Sequence, residues 1–130
     1  MIVVDTSVVT EAVGGSSERN LEVLRRIAGE AALAPHVLDL EVASALRGLV
    51  RRGALAEAMA QAALRHLARL PVIRCGHAAL LPRCWELRDN LTIYDAAYVA
   101  LAEATRATLL TSDQRLVRAA GVRCDIELMH

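Results

Sequence analysis

Short apolar runs alternate with amphipathic segments along the whole chain. An apolar run between turn-forming residues is typical of a buried strand, whereas apolar residues that recur every three or four positions are typical of a helix. These patterns predict strands at residues 1–5, 31–34, 71–75, 107–112 and 124–128. They predict helices at residues 6–13, 18–28, 37–52, 55–70, 77–89 and 113–120, and a further helix that begins at Asn90 or Thr92 and continues to Glu103.

Strands that alternate with helices predict an α/β fold, in which a mainly parallel sheet of four to five strands is covered by helices on both faces. A chain of 130 residues suits one domain with a single core, residues 1–130, and no linker or internal repeat divides it. In folds of this kind ligands bind beyond the carboxyl ends of the strands. Polar residues at those ends are therefore the first candidates for a functional site.

One acidic residue lies on an apolar helix face. On the helix that begins near Asn90, the residues within about 60° of Asp95 are Leu91, Tyr98, Val99 and Ala102. A buried carboxylate without a partner would cost several kcal/mol. Asp95 at this position therefore requires a partner that compensates for the burial of its charge.

Three further carboxylates point to the same edge of the predicted sheet. Asp5 directly follows the first strand, and Asp113 follows the strand at 107–112. Glu41 lies in mid-helix on the face that Val37 and Leu38 share, where a carboxylate has no capping role. Together with Asp95 they form a predicted acidic cluster.

Helix capping is the alternative explanation for most of these residues. Asp5 and Asp113 are suitable N-caps, and the stretch TIYD, Thr92 to Asp95, has the form of a capping box. Taken singly, each aspartate is explained by a cap, which Ser, Thr or Asn would provide as well. Carboxylates that converge on one edge repel each other unless a cation neutralises them, so the joint pattern favours a cation site.

The basic residues narrow the choice of cation and of chemistry. All 15 are arginine, which excludes a Walker A phosphate loop and Schiff-base catalysis, since both need lysine. Arginine spacing offers no obvious partner on the acidic faces, so a divalent metal is predicted. All-oxygen ligation favours Mg²⁺ or Mn²⁺, ions that serve phosphoryl transfer to water, with a phosphodiester as the natural substrate.

Other metal sites and a membrane location are not expected. The cysteines form no CxxC pair and the histidines no HxxxH pair, so free thiols and no zinc site are predicted. The sequence shows neither a signal-peptide pattern nor an apolar run long enough to span a membrane, and a cytoplasmic protein is expected.

The acidic residues lie in three motifs, MIVVDTS, TIYDAAYVALAE and LLTSDQRLVRAAG, with Glu41 on its helix between the first two. These features closely resemble those of PIN-domain ribonucleases, specifically the VapC-type toxins of bacterial type II toxin–antitoxin pairs. The resemblance implies a three-layer α/β/α sandwich and a Mg²⁺- or Mn²⁺-dependent endoribonuclease. It implies that Asp5 and Asp95 are the firmest metal ligands. Glu41 and Asp113 would bind or orient a second metal and its waters, with Thr111 or Ser112 beside them.

The resemblance also implies partners: an RNA substrate, a second copy of the chain in a homodimer, and a cognate VapB-like antitoxin that occupies the active-site groove. Candidate phosphate contacts are Arg25, Arg26, Arg51, Arg52, Arg65 and Arg69, although solvated helix faces explain most of them. Core packing is the expected role of Trp85, Tyr94 and Tyr98.

Two other functions stay open. One is a metal-dependent phosphatase of small phosphate esters, disfavoured because DTS lacks the D-x-D pair of haloacid dehalogenase-like enzymes. The other is a non-catalytic or weakly catalytic PIN-like binding module whose carboxylates only cap helices.

Overall fold

All 130 residues are described by a computed structural model. The strands are β1 Ile2–Val4, β2 Ala32–Pro35, β3 Val72–Cys75, β4 Thr108–Thr111 and β5 Ile126–Leu128. The helices are α1 Thr6–Val13, α2 Glu18–Ala28, α3 Leu38–Arg51, α4 Glu57–Arg69, α5 Leu81–Glu86, α6 Ile93–Thr105 and α7 Gln114–Arg118. A 3₁₀ turn, Ala78–Leu80, precedes α5. The predicted order of strands and helices is confirmed.

The five strands form one sheet in the order β3-β2-β1-β4-β5, and every neighbouring pair is parallel. In register, Val3 lies between Leu33 of β2 and Leu109 of β4. The chain leaves β1 towards β2 on one side of the sheet and later returns to β4 on the other side. The carboxyl ends of β1 and β4 therefore flank the switch point at which ligands bind in such sheets.

Local signals place the helix ends. Asp5, Ser17, Thr92 and Asp113 each accept a hydrogen bond from a backbone N–H in the first turn of the helix that follows. Thr92, and not Asn90, is the N-cap of α6. The segment 77–89 divides into the 3₁₀ turn and α5, with Pro82 in the first turn of the helix, where a missing N–H costs little.

The core consists of small and branched aliphatic side chains. The side chains of Val3, Val4, Leu109 and Leu110 on the two central strands are fully buried. Helix α6 is buried from Ala96 to Ala102, and its alanines allow close packing in the sandwich. This packing explains how a chain with only 2% aromatic residues forms a continuous core.

Aromatic residues are only partly where the sequence predicted them. Tyr98 is buried in the core, as expected. The expectation is wrong for Trp85 and Tyr94, which are 62% and 59% exposed. Trp85 instead packs its ring against the guanidinium of Arg88, which lies in the turn after α5, 4.7 Å from the ring centroid. This contact does not require burial.

None of the helices has the length and hydrophobicity needed to span a bilayer.

A partly buried ion pair links α5, α6 and the loop before β5. Arg83 of α5 donates to both carboxylate oxygens of Glu103 on α6, at 2.7 and 3.1 Å, and to the carbonyl of Gly121 at 2.7 Å. Glu103 also accepts from the Arg123 N–H at 2.9 Å. Although burial alone would raise the pKa of Glu103, the bonds from Arg83 and Arg123 hold it below its ordinary value. Glu103 thus joins two helices to the loop before β5.

Replacing this carboxylate should destabilise the fold. We expect Glu103→Gln to lower the free energy of unfolding by about 1–3 kcal/mol, because the Arg83 guanidinium loses the less exposed of its two carboxylate partners. Glu86→Gln is the matched control, since Glu86 binds the same arginine at 3.0 Å but is 61% exposed at its side chain against 14% for Glu103. Urea unfolding of both variants measures the difference. Equal losses would contradict the assigned role of Glu103.

Candidate active site

A cavity of about 580 Å³ opens at the carboxyl ends of β1 and β4. All four predicted acidic residues line it, although they come from distant parts of the chain. The lining residues are Asp5, Thr6, Ser7, Thr10, Glu41, Ser44, Ala45, Gly48, Leu49, Arg52, Asp95, Asp113 and Arg115. We call this the acidic cavity.

Asp5 is the most buried of the four carboxylates and has three hydrogen-bond donors. Its Oδ1 accepts from Ser7 Oγ at 2.6 Å and from the Val8 N–H at 3.1 Å, and Thr111 Oγ1 donates to Oδ2. Burial raises the pKa of Asp5 above its ordinary value, these three donors oppose the rise, and the charge of Asp95 adds to it. Asp5 is therefore both the N-cap of α1 and part of the acidic cavity.

Asp95 lies in the first turn of α6 and is half-buried in the wall of the acidic cavity. Its backbone N–H donates to Thr92 Oγ1 at 3.1 Å, but the reciprocal bond of a capping box is absent. Burial raises the pKa of Asp95, and the charge of Asp113 raises it further, while Thr92 and Arg115 lower it. Capping alone does not explain this carboxylate.

Glu41 belongs to a triangle of hydrogen bonds that joins three helices. Its Oε1 accepts from Tyr98 Oη of α6 at 2.8 Å and from Thr6 Oγ1 of α1 at 3.2 Å. The Thr6 and Tyr98 oxygens are 2.9 Å apart. Burial is the main reason that the pKa of Tyr98 lies far above its ordinary value, so the phenol stays a donor to Glu41.

Sequence reasoning did not assign Thr6 and Tyr98 to the site. A signal for each was present, because Thr6 adjoins Asp5 and Tyr98 lies one turn after Asp95 on the same helix face. The aromatic ring was assigned to the core, and that assignment is correct for the ring. Its hydroxyl group, however, donates a hydrogen bond to Glu41, which lines the acidic cavity.

Asp113 is the N-cap of α7 and is bound by an arginine. Its Oδ1 accepts from the Arg115 N–H at 2.9 Å, and the Arg115 guanidinium donates to both carboxylate oxygens at distances from 2.6 to 3.1 Å. These bonds hold the pKa of Asp113 below its ordinary value. The expectation that arginine spacing offers no obvious partner for the acidic residues is therefore wrong for Asp113.

The contact between Asp113 and Arg115 forms at the start of a helix. Regular helix faces repeat only within a helix, whereas Asp113 precedes α7 and Arg115 lies in its first turn. The turn of the chain at a helix start brings side chains two positions apart to the same side. Arg52, at the end of α3, also lines the acidic cavity, and it is the only one of the six predicted phosphate contacts to do so.

Comparison with known proteins identifies the family. The family model described as PIN domain matches residues 2–122. Ribonuclease VapC3 of Mycobacterium tuberculosis is 44% identical over 118 residues, which cover 91% of this chain and 86% of that protein. Ribonuclease VapC1 of the same organism is 43% identical over 129 residues, covering 98% and 96%. The chain belongs to the PIN-domain family, in its VapC branch.

Solved PIN-domain structures support the fold. The crystal structure of VapC20 of M. tuberculosis, described as a toxin that cleaves the sarcin-ricin loop, superposes with a TM-score of 0.69 over 95% of this chain and 97% of that chain, at 19% identity. A VapBC2 complex from Rickettsia felis, bound to a promoter DNA fragment, gives 0.69 with full coverage of both chains at 18% identity. At such low identity these similarities bear on the fold alone.

The four carboxylates of this PIN domain line one cavity but do not form a ready metal site. No three Asp, Glu, His or Cys side chains are arranged to hold an ion. Instead, separate protein donors bind three of them: Thr111 and Ser7 at Asp5, Tyr98 at Glu41, and Arg115 at Asp113.

The chemistry of the acidic cavity nevertheless fits a divalent cation. Its donors are carboxylates and hydroxyls, the hard oxygen ligands that Mg²⁺ and Mn²⁺ prefer. Burial and mutual repulsion disfavour the charged forms of Asp5 and Asp95, and a bound cation would relieve both effects. In addition, Thr10 Oγ1 in the cavity wall and Ser112 Oγ beside Asp113 are buried without a hydrogen-bond partner.

Proposed function

We propose that this PIN domain is a Mg²⁺- or Mn²⁺-dependent endoribonuclease and the toxin of a VapBC-type toxin–antitoxin pair. One observation carries the proposal: four carboxylates from distant parts of the chain line a single open cavity. One follows β1, one lies on α3, one lies in the first turn of α6 and one follows β4. The ribonuclease names of relatives that are 43–44% identical support the same activity. The carboxylates are Asp5, Glu41, Asp95 and Asp113.

Each carboxylate has a role in the proposal. Asp5 and Asp95 would ligate the cation directly, since burial disfavours their negative charge most while no cation is bound. Glu41 and Asp113 would hold a second ion or its waters. Bound divalent metal in such a site lowers the pKa of water and neutralises charge on the scissile phosphate. Thr111 would keep the Asp5 carboxylate in one orientation, through its hydrogen bond to Oδ2.

The shape of the acidic cavity suits a phosphodiester within a longer chain. It is open, most of the residues that line it are polar or charged, and two arginines lie in its wall, Arg52 at the end of α3 and Arg115 in α7. Because neutralising phosphates supplies most nonspecific affinity for nucleic acids, these two residues would contact RNA on either side of the scissile bond. A cognate antitoxin and a homodimer are part of the proposal by family membership.

Metal-dependent cleavage of RNA tests the proposal. We expect the purified protein to cleave single-stranded RNA with Mg²⁺ or Mn²⁺. It should lose this activity in excess EDTA and regain it when Mn²⁺ is restored, because the carboxylates cannot activate water on their own. Hydrolysis of a generic phosphate monoester but not of RNA would favour the phosphatase alternative. Absence of both activities, with no stabilisation by Mn²⁺, would favour the binding module.

A further inference from the structure

Arg115 is a cation already present in the acidic cavity. Its Nε is 3.1 Å from both carboxylate oxygens of Asp113, and its Nη2 is 2.6 Å from Oδ2. With the Arg115 N–H on Oδ1, four hydrogen bonds converge on this one carboxylate. Neither oxygen of Asp113 is left without a protein donor.

A divalent ion and the guanidinium would therefore compete for Asp113. A metal ligand must direct an oxygen lone pair at the ion, and both oxygens of Asp113 are engaged with Arg115. Two cations that close to one carboxylate would also repel each other. Binding of the ion through Asp113 requires the guanidinium to move.

The surroundings of Arg115 leave room for that movement. Its side chain is 85% exposed, and no other acidic side chain hydrogen-bonds to it. A second cleft of about 330 Å³ adjoins the acidic cavity and shares Asp95 and Arg115 with it. The guanidinium can thus leave Asp113 without the backbone cap being lost, because the Arg115 N–H bond to Oδ1 does not depend on the side chain.

We propose that Arg115 is a displaceable counter-ion, which holds Asp113 while no divalent cation is bound and releases it when the cation binds. The freed guanidinium then lies between the acidic cavity and the adjoining cleft, where a phosphate of bound RNA can replace the carboxylate as its partner. Arg115 in this way makes metal binding and RNA binding favour each other. The inference rests on the proposed metal-dependent function.

Calorimetric titration with Mn²⁺ tests the competition without measuring activity. Arg115→Gln removes the charge and the fork of donors, so we expect it to bind Mn²⁺ several-fold more tightly than the wild type. Arg118→Gln is the matched control, because Arg118 is exposed on the same short helix and does not line the acidic cavity. It should leave Mn²⁺ affinity nearly unchanged.

A double-mutant cycle assigns the effect to Asp113. In an Asp113→Asn background the gain from Arg115→Gln should fall to the small change given by Arg118→Gln, since no carboxylate remains to be released. A gain of equal size in that background would mean that Arg115 only repels the ion at a distance, and would overturn the proposal. Equal or weaker Mn²⁺ binding by Arg115→Gln would overturn it too.

The two proposals fail in different ways. If the wild type binds no Mn²⁺, the metal-dependent nuclease itself is wrong, and this inference falls with it. If the wild type binds Mn²⁺ and cleaves RNA, but Arg115→Gln changes neither Mn²⁺ affinity nor its coupling to RNA, only the role given to Arg115 is wrong. The coupling between metal binding and RNA binding is measured by repeating the Mn²⁺ titration with a phosphorothioate RNA oligonucleotide present. The RNA should increase the Mn²⁺ affinity of the wild type, and it should increase that of Arg115→Gln less.

Discussion

The Asp95→Asn variant should cleave RNA about 10³-fold more slowly than the wild type. Metal ions supply several kcal/mol of charge stabilisation in a transition state, and each 1.36 kcal/mol corresponds to a factor of ten in rate. Asparagine keeps the size of the side chain but not the charge that would hold the ion. The measurement is initial cleavage rates on one RNA, at a fixed Mn²⁺ concentration.

The same variant should be more stable than the wild type when divalent ions are absent. Burial and the charge of Asp113 raise the pKa of Asp95, so the ionised carboxylate destabilises the folded state. Thermal melts in EDTA should show a higher transition temperature for Asp95→Asn. With added Mn²⁺ the transition of the wild type should rise much more than that of the variant.

The raised pKa of Asp95 also determines how the stability of the wild type changes with pH. Between the ordinary pKa of 3.8 and the raised value, the folded protein binds more protons at Asp95 than the unfolded chain does. This residue therefore makes the wild type more stable as pH falls through that window. The advantage of Asp95→Asn should be full above the raised pKa and should vanish below 3.8.

Asp125→Asn is the control for Asp95→Asn. Asp125 is exposed before β5 and is not in the acidic cavity, and its carbonyl rather than its carboxylate bonds to the Leu109 N–H. Its substitution should alter neither cleavage rate nor the response to Mn²⁺. If Asp95→Asn retained wild-type cleavage while folded, Asp95 would have no part in catalysis.

Removal of the Tyr98 hydroxyl should weaken the site while the core stays intact. In Tyr98→Phe, Glu41 loses its bond of 2.8 Å and keeps only the longer bond from Thr6. Groups that orient a metal ligand typically change metal affinity or activity by about 10–100-fold when they are removed. We expect a loss in this range for Mn²⁺ affinity, with a parallel loss of RNA cleavage.

The free energy of unfolding should distinguish a positioning role of the Tyr98 hydroxyl from a purely structural role. The ring of Tyr98 stays in the core, so the free energy of unfolding should fall by only about 1 kcal/mol, the usual net contribution of a hydrogen bond. Tyr94→Phe is the control, since Tyr94 is exposed one turn before Tyr98 on α6. Unchanged Mn²⁺ binding in Tyr98→Phe would mean that Glu41 needs no support from this phenol.

Much of the fold was predictable because its signals are local. The bounds of α1 and α2 follow from a strand-ending aspartate, a Ser17 cap and the glycines after each helix. The grouping of Asp5 with Asp113 was predictable too, because β1 and β4 are parallel and their carboxyl ends meet at one edge. Sequence position and sheet direction were enough for that inference.

The supporting contacts were not predictable because they join elements without fixed spacing. Thr6, Glu41 and Tyr98 meet only after α1, α3 and α6 have packed, and no periodicity encodes the angle between helices. Trp85 and Tyr94 were misplaced for a similar reason, since hydrophobicity alone does not indicate which face of α5 or of the first turn of α6 stays uncovered.

The sequence by itself determined the order of strands and helices, the aliphatic core and the identity of the acidic residues, since each depends on periodicity or on position at a strand end. Only the tertiary structure decided which donors hold each carboxylate, including the unexpected pairing of Asp113 with Arg115. The physical reason is the difference in the range over which these effects act along the chain. Backbone preferences act over a few residues, whereas the charge and burial of a side chain depend on every element packed around it.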